Sequence, residues 1–78
     1  MQANCSDKFN VDVGIRLRDL RVKHGYTREM MCELAGINDK YLYEIEVGKK
    51  GLSAKKLYAL SRALCATMDY IASGESDF

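Results

Sequence analysis

Apolar residues recur along this chain at helical spacing, and short breaks rich in glycine, serine, threonine or asparagine separate the runs. Val13, Leu17 and Leu20 fall at i, i+4, i+7 and predict a first helix over about Asp12–His24. A second helix is expected over about Arg28–Ala35, burying Met31, Leu34 and Ala35. A third is expected over about Asp39–Val47 with Leu42 and Ile45 inward, and Glu46 inward or along its seam. A fourth is expected over about Ala54–Cys65 with Leu57, Leu60 and Leu64 inward. A short fifth over about Met68–Ser73 offers Met68 and Ile71.

The starts of the last four share one local signature. A capping residue follows an apolar residue, and a second apolar residue stands four positions after the cap. The sets are Tyr26-Thr27 with Met31, Ile37-Asn38 with Leu42, Leu52-Ser53 with Leu57, and Ala66-Thr67 with Ile71. The capping side chains accept from first-turn N–H groups, and the apolar pair staples the incoming chain. Gly25, Gly36, Gly48 and Gly74 stand where helix stops are needed.

The second and third helices are separated only by Gly36-Ile37-Asn38. Two short helices crossing through a tight glycine-containing turn form a helix-turn-helix, whose second helix can enter the DNA major groove. With Asn38 as cap, Asp39, Lys40, Tyr43 and Glu44 form the outward face of that helix. Lysine can donate to guanine O6 and N7, and a carboxylate can accept from cytosine N4. Arg28, Lys49 and Lys50 flank this face, where contacts to phosphate would position the protein without reading sequence.

Composition narrows the class. The 78 residues suffice for one small domain; 47% are hydrophobic, 29% are charged, and there is no proline. An all-α domain is expected at residues 11–74, after a flexible arm at 1–10 and before an acidic tail at 75–78. No apolar run approaches membrane-spanning length, which makes a cytoplasmic protein the expectation. The net charge of +1 conceals basic clusters at Arg16, Arg18, Arg21, Lys23 and Arg28 and again at Lys49, Lys50, Lys55, Lys56 and Arg62. Cys5, Cys32 and Cys65 have no metal-ligand spacing; Cys32 and Cys65 read as packed small residues. His24, the sole histidine, ends the first helix, where its positive form suits the helix dipole. No nucleophile–base pair or glycine-rich phosphate loop appears. Neither an enzyme, a metal site nor a cofactor is therefore expected.

The chain resembles the Cro/C1-type (XRE-like) helix-turn-helix regulators of bacteria and phages over about Asp12–Gly74. The residues that carry this are Arg21, Gly25, Thr27-Arg28, Met31-Cys32 and Gly36-Ile37-Asn38, followed by Leu42-Tyr43, Ile45-Glu46 and Gly48. Leu52-Ser53, Ser61, Leu64, Thr67, Asp69 and Ile71 complete the set. The resemblance implies a compact five-helix, lambda-repressor-like domain. It further implies a transcriptional regulator, more often a repressor, that binds double-stranded DNA as a homodimer.

By the same resemblance, base-reading positions fall on Asn38, Asp39, Lys40, Tyr43 and Glu44. Phosphate positions fall on Arg28, Tyr41, Lys49 and Lys50. Arg21 and Glu46 would form a structural ion pair. On the fifth helix, Tyr70 and Ile71 read from their own pattern either as a dimer patch or, equally, as part of a lid over the core. Arg28 departs from the family's usual glutamine, and Leu52 from its proline. A second reading also stands: a protein-interaction or antitoxin-type module of the same fold, controlled by a protein partner and binding DNA weakly. Its support is the near-neutral charge and the acidic residues on the third helix.

Overall fold

Four helices of this chain begin where a short polar side chain takes up a first-turn N–H group. In the computed structural model, Thr27 Oγ1 accepts from Met30, Asn38 Oδ1 from Tyr41, Ser53 Oγ from Lys56 and Thr67 Oγ1 from Tyr70. The structure describes residues 3–75, with side chains from Lys8 onward; Met1, Gln2 and positions 76–78 of the acidic tail lie outside the described residues. Five helices run in order: α1 (Ala3–Lys23), α2 (Arg28–Ala35), α3 (Asp39–Glu46), α4 (Ala54–Leu64) and α5 (Met68–Ser73). Among the described residues none is long and apolar enough to cross a membrane.

α1 begins far earlier than the spacing of Val13, Leu17 and Leu20 suggests. The segment expected as a flexible arm, 1–10, is helical from Ala3. Neither proline nor glycine interrupts the chain between Ala3 and Val13, and tertiary contacts hold the extension in place. Val11 lies against Gly48, and Asn10 lies against Gly51, both in the α3–α4 connection.

α1 packs on α3 and α5, α2 on α3 and α4, and α4 on α5. Val13, Leu17, Met31, Leu42, Ile45, Leu60, Leu64 and Ile71 form the buried core. Each such side chain contributes on the order of 1.5–3 kcal/mol by leaving water. Two assignments change. Leu34, expected inside, is 56% exposed. α2 turns Met31, Cys32 and Ala35 toward the core, so its buried stripe lies on the side away from Leu34. Ile71, expected in an exposed dimer patch, is fully buried and belongs to the core, because α5 folds back over α1 and α4.

Two glycines are fixed by close approach. Gly14 sits inside α1, where glycine costs about 1 kcal/mol relative to alanine. A Cβ there would fall onto the Ile45 and Glu46 carbonyl oxygens at the end of α3. Gly48 has φ +84°, and a Cβ on it would lie 2.9 Å from the Val11 Cα. These contacts seat the C-terminal end of α3 directly on α1. α4 stops without a glycine: Cys65 closes it in the left-handed region, at φ 53° and ψ 39°, and this position leaves Cys65 exposed instead of packed as the sequence suggests.

Side chains of α1 and of His24, the residue that follows it, tie the remaining helix ends. Arg16 donates from Nε to the Ile71 carbonyl at 2.9 Å and from Nη2 to the Ala72 carbonyl at 3.0 Å. It therefore serves the C-terminal end of α5 instead of adding to a phosphate-binding cluster. His24 is stacked on Tyr26, and its Nε2 lies 2.7 Å from the Leu64 carbonyl oxygen, across which α1 is joined to the end of α4.

Candidate nucleic-acid interface

The geometry of α3 is set from both ends. Gly36 ends α2 in the left-handed region, and its N–H donates to the Cys32 carbonyl at 2.8 Å. Two residues later Asn38 caps α3, so the turn is short and fixed at each side. At the other end Glu46 is buried, and Arg21 meets it with two bonds: Nε to Oε2 at 2.7 Å and Nη2 to Oε1 at 3.2 Å. The remaining Arg21 nitrogen, Nη1, donates to the Tyr26 carbonyl at 2.9 Å. This guanidinium locks α3 to α1 and also closes the connection into α2. Its two carboxylate bonds give planar, two-point geometry that a lysine would not reproduce.

With Leu42, Ile45 and Glu46 inward, the other side of α3 is left open. Asn38, Asp39, Lys40 and Tyr43 are exposed, while Tyr41 and Glu44 are half-buried. The assigned base-reading residues therefore do not form one uniform face. Asn38 commits Oδ1 to the cap at 2.8 Å, and its amide N–H groups have no hydrogen-bond partner among the described residues. Glu44 leans toward the α3–α4 connection, with Lys50 Nζ 3.4 Å from its carboxylate. Asp39 is paired across the turn with Arg28 at 3.3 Å. Lys40 and Lys49 are exposed and form no ion pair among the described residues.

The acidic groups of α3 are thus each met by a nearby cation. The exposed Arg28–Asp39 pair contributes only about 0–1 kcal/mol, so it can be exchanged for a partner without harming the fold. Aromatic rings sit beside the same cations. Arg28 lies 5.4 Å from the centre of the Tyr43 ring, and Lys50 lies 5.7 Å from that of Tyr41.

Between the starts of α3 and α4 runs a shallow groove lined by Lys40, Tyr41, Lys50, Ser53 and Lys56. The sequence marks Ser53 as a helix cap and Lys56 as one of a basic cluster, but places neither at this interface. The adjacent Lys55 and Lys56 were a visible signal, but only the docking of α4 brings Lys56 alone to the groove. Three lysines beside two helix N-termini suit a negatively charged, extended ligand.

Among the described residues no cluster of histidine, cysteine, aspartate or glutamate could hold a metal ion. Burial, and next the Asp39 carboxylate, push the Cys32 thiol above its ordinary value, so it is a poor nucleophile.

A helix-turn-helix family profile matches residues 17–71, which includes every helix from the middle of α1 to α5. The fold is also similar to that of the restriction-modification controller protein C.AhdI from Aeromonas hydrophila. The TM-score is 0.76 at 29% identity, covering 80% of this chain and 94% of that one. It is similar too to the clp gene regulator ClgR from Corynebacterium glutamicum. There the TM-score is 0.79 at 29% identity, covering 85% of this chain and 73% of that one. Among curated proteins none matches the chain.

Proposed function

The chain belongs to the Cro/C1-type helix-turn-helix family, and on that premise we propose that it is a DNA-binding transcriptional regulator that reads the major groove with α3. The observation that carries this is the division of α3. Its inner side is clamped by Arg21 and the core, while its outer side presents unburied Lys40 and Tyr43 next to exposed cations. A recognition helix needs a rigid seat and a free polar surface. Of the solved neighbours above, one is named a restriction-modification controller and the other a clp gene regulator, which supports a regulatory role here.

In this reading Asn38, Asp39, Lys40, Tyr43 and Glu44 face base edges, with Lys40 and Tyr43 the most accessible. Arg28, Tyr41, Lys49 and Lys50 contact phosphates, joined by Lys56 across the groove. The protein acts as a homodimer and as a repressor, with its two α3 helices about 34 Å apart in successive major grooves. For the dimer surface, Tyr70 remains the candidate on α5. It lines a depression with Leu20 and Val22, and Val22 is 56% exposed.

Selection of the protein against a randomised duplex library at near-physiological salt tests this. The expected result is a two-fold-symmetric motif whose binding weakens steeply as salt rises. A well-folded protein that enriches no sequence would instead favour the interaction or antitoxin-type module. The pairing of Asp39 and Glu44 with the protein's own cations is the observation on that side.

A further inference from the structure

Arg28 stands at the first position of α2, but its side chain crosses the turn to the outward side of α3. Its Nε donates to Asp39 Oδ1 at 3.3 Å, and its guanidinium carbon lies 5.4 Å from the centre of the Tyr43 ring. Asp39 is the first residue of α3, and Tyr43 stands one turn later on the same exposed face. The guanidinium therefore rests on the residues that a recognition helix inserts first. Nε is engaged, and the Arg28 Nη groups have no hydrogen-bond partner among the described residues. Two parallel N–H donors in one plane match O6 and N7 of guanine.

We infer that Arg28 is a base-reading residue that recognises one guanine in each major-groove site, with Asp39 and Tyr43 holding its guanidinium for the purpose. The inference rests on the DNA-binding reading above and changes the role of Arg28 from phosphate contact to specificity determinant. Asp39 and Tyr43 are positioning residues for it. An unpaired Asp39 would repel the phosphates flanking the groove, whereas beside Arg28 its charge is compensated. Arg28 and Asp39 are both well exposed, with 42% and 62% of their side chains accessible, so the pair can meet a ligand without rearrangement of the core.

The test is library selection of the wild type, Arg28→Ala, Arg28→Lys and Asp39→Asn, each first checked for an unchanged thermal melt. The expected result is a guanine in the wild-type motif whose preference falls roughly tenfold to a hundredfold in Arg28→Ala while the other positions persist. Arg28→Lys keeps the charge but loses the fork, so it should lose most of that guanine preference with little change in salt dependence. Asp39→Asn should weaken the preference at the same base pair. Uniform weakening across all sequences, with a salt slope lower by about one, would return Arg28 to the phosphates and overturn the inference alone. An unchanged motif in Arg28→Ala would overturn it equally. A wild type that enriches no motif would remove the DNA-binding reading together with it.

Discussion

The two sides of α3 are held in different ways. On the inner side Leu42 and Ile45 are fully buried, and Glu46 is clamped by a two-point bond to Arg21. On the outer side Asp39 and Glu44 have single, longer contacts to Arg28 and Lys50, while Lys40 has none among the described residues. The inner contacts exclude water and determine one position for the helix. The outer contacts are exposed and weak enough to be exchanged for a ligand. One eight-residue helix thus separates fold from recognition by face. Substitutions on its two sides should then fail in different assays.

The largest expected effect is on the inner side. Arg21→Ala leaves Glu46 as a buried, uncompensated charge and also removes the bond to the Tyr26 carbonyl. It should cost about 3–5 kcal/mol in denaturant unfolding. A loss near zero would mean that the clamp does not hold α3. Gly14→Ala comes next. Its Cβ would meet backbone carbonyl oxygens of α3, which cannot rotate aside. A loss of about 3 kcal/mol is expected, although alanine is the better helix former. Stabilisation by this substitution would contradict the close seating of α3 on α1.

On the outer side the readout changes from stability to binding. Lys40→Ala should leave the melting curve in place and reduce binding to the selected motif about tenfold more than binding to random duplex. Lys49→Ala should weaken both alike and lower the salt slope by about one. If the two variants lost specificity equally, the division of roles on this side would be wrong. The smallest effect lies away from both sides. Cys65→Gly relieves a left-handed residue at the end of α4 and should raise stability by about 0.5 kcal/mol, after glycine's own entropy cost.

Much of this organisation is legible in the sequence because it is local. The caps Thr27, Asn38, Ser53 and Thr67 lie within one turn of the N–H groups they bind, and Gly36 lies next to the helix it ends. What the sequence leaves open depends on contacts between distant segments. Gly14 carries no local sign that Ile45 and Glu46 approach it. Asn10 and Val11 carry no local sign that they meet the α3–α4 connection. Leu34 has the spacing of a core residue, but the stripe that α2 buries is decided by where α3 and α4 lie. Arg16 reads as one more surface cation until α5 brings its carbonyls within reach. Ile71 has the spacing of a core residue and the setting of a surface helix, and packing decides for the core.

The candidate site divides in the same way. The identity of its outward residues follows from the cap at Asn38 and the helical repeat. Their pairing does not, since Arg28 reaches Asp39 only through the crossing of α2 and α3. The most direct measurement joins the two faces in one experiment. A variant carrying Asp39→Ala, Lys40→Ala and Tyr43→Ala should melt within a few degrees of the wild type, as expected for surface changes of about 1 kcal/mol or less. In library selection it should enrich no motif. Retention of the wild-type motif by this folded variant would contradict the account, because DNA would then be read by some other surface.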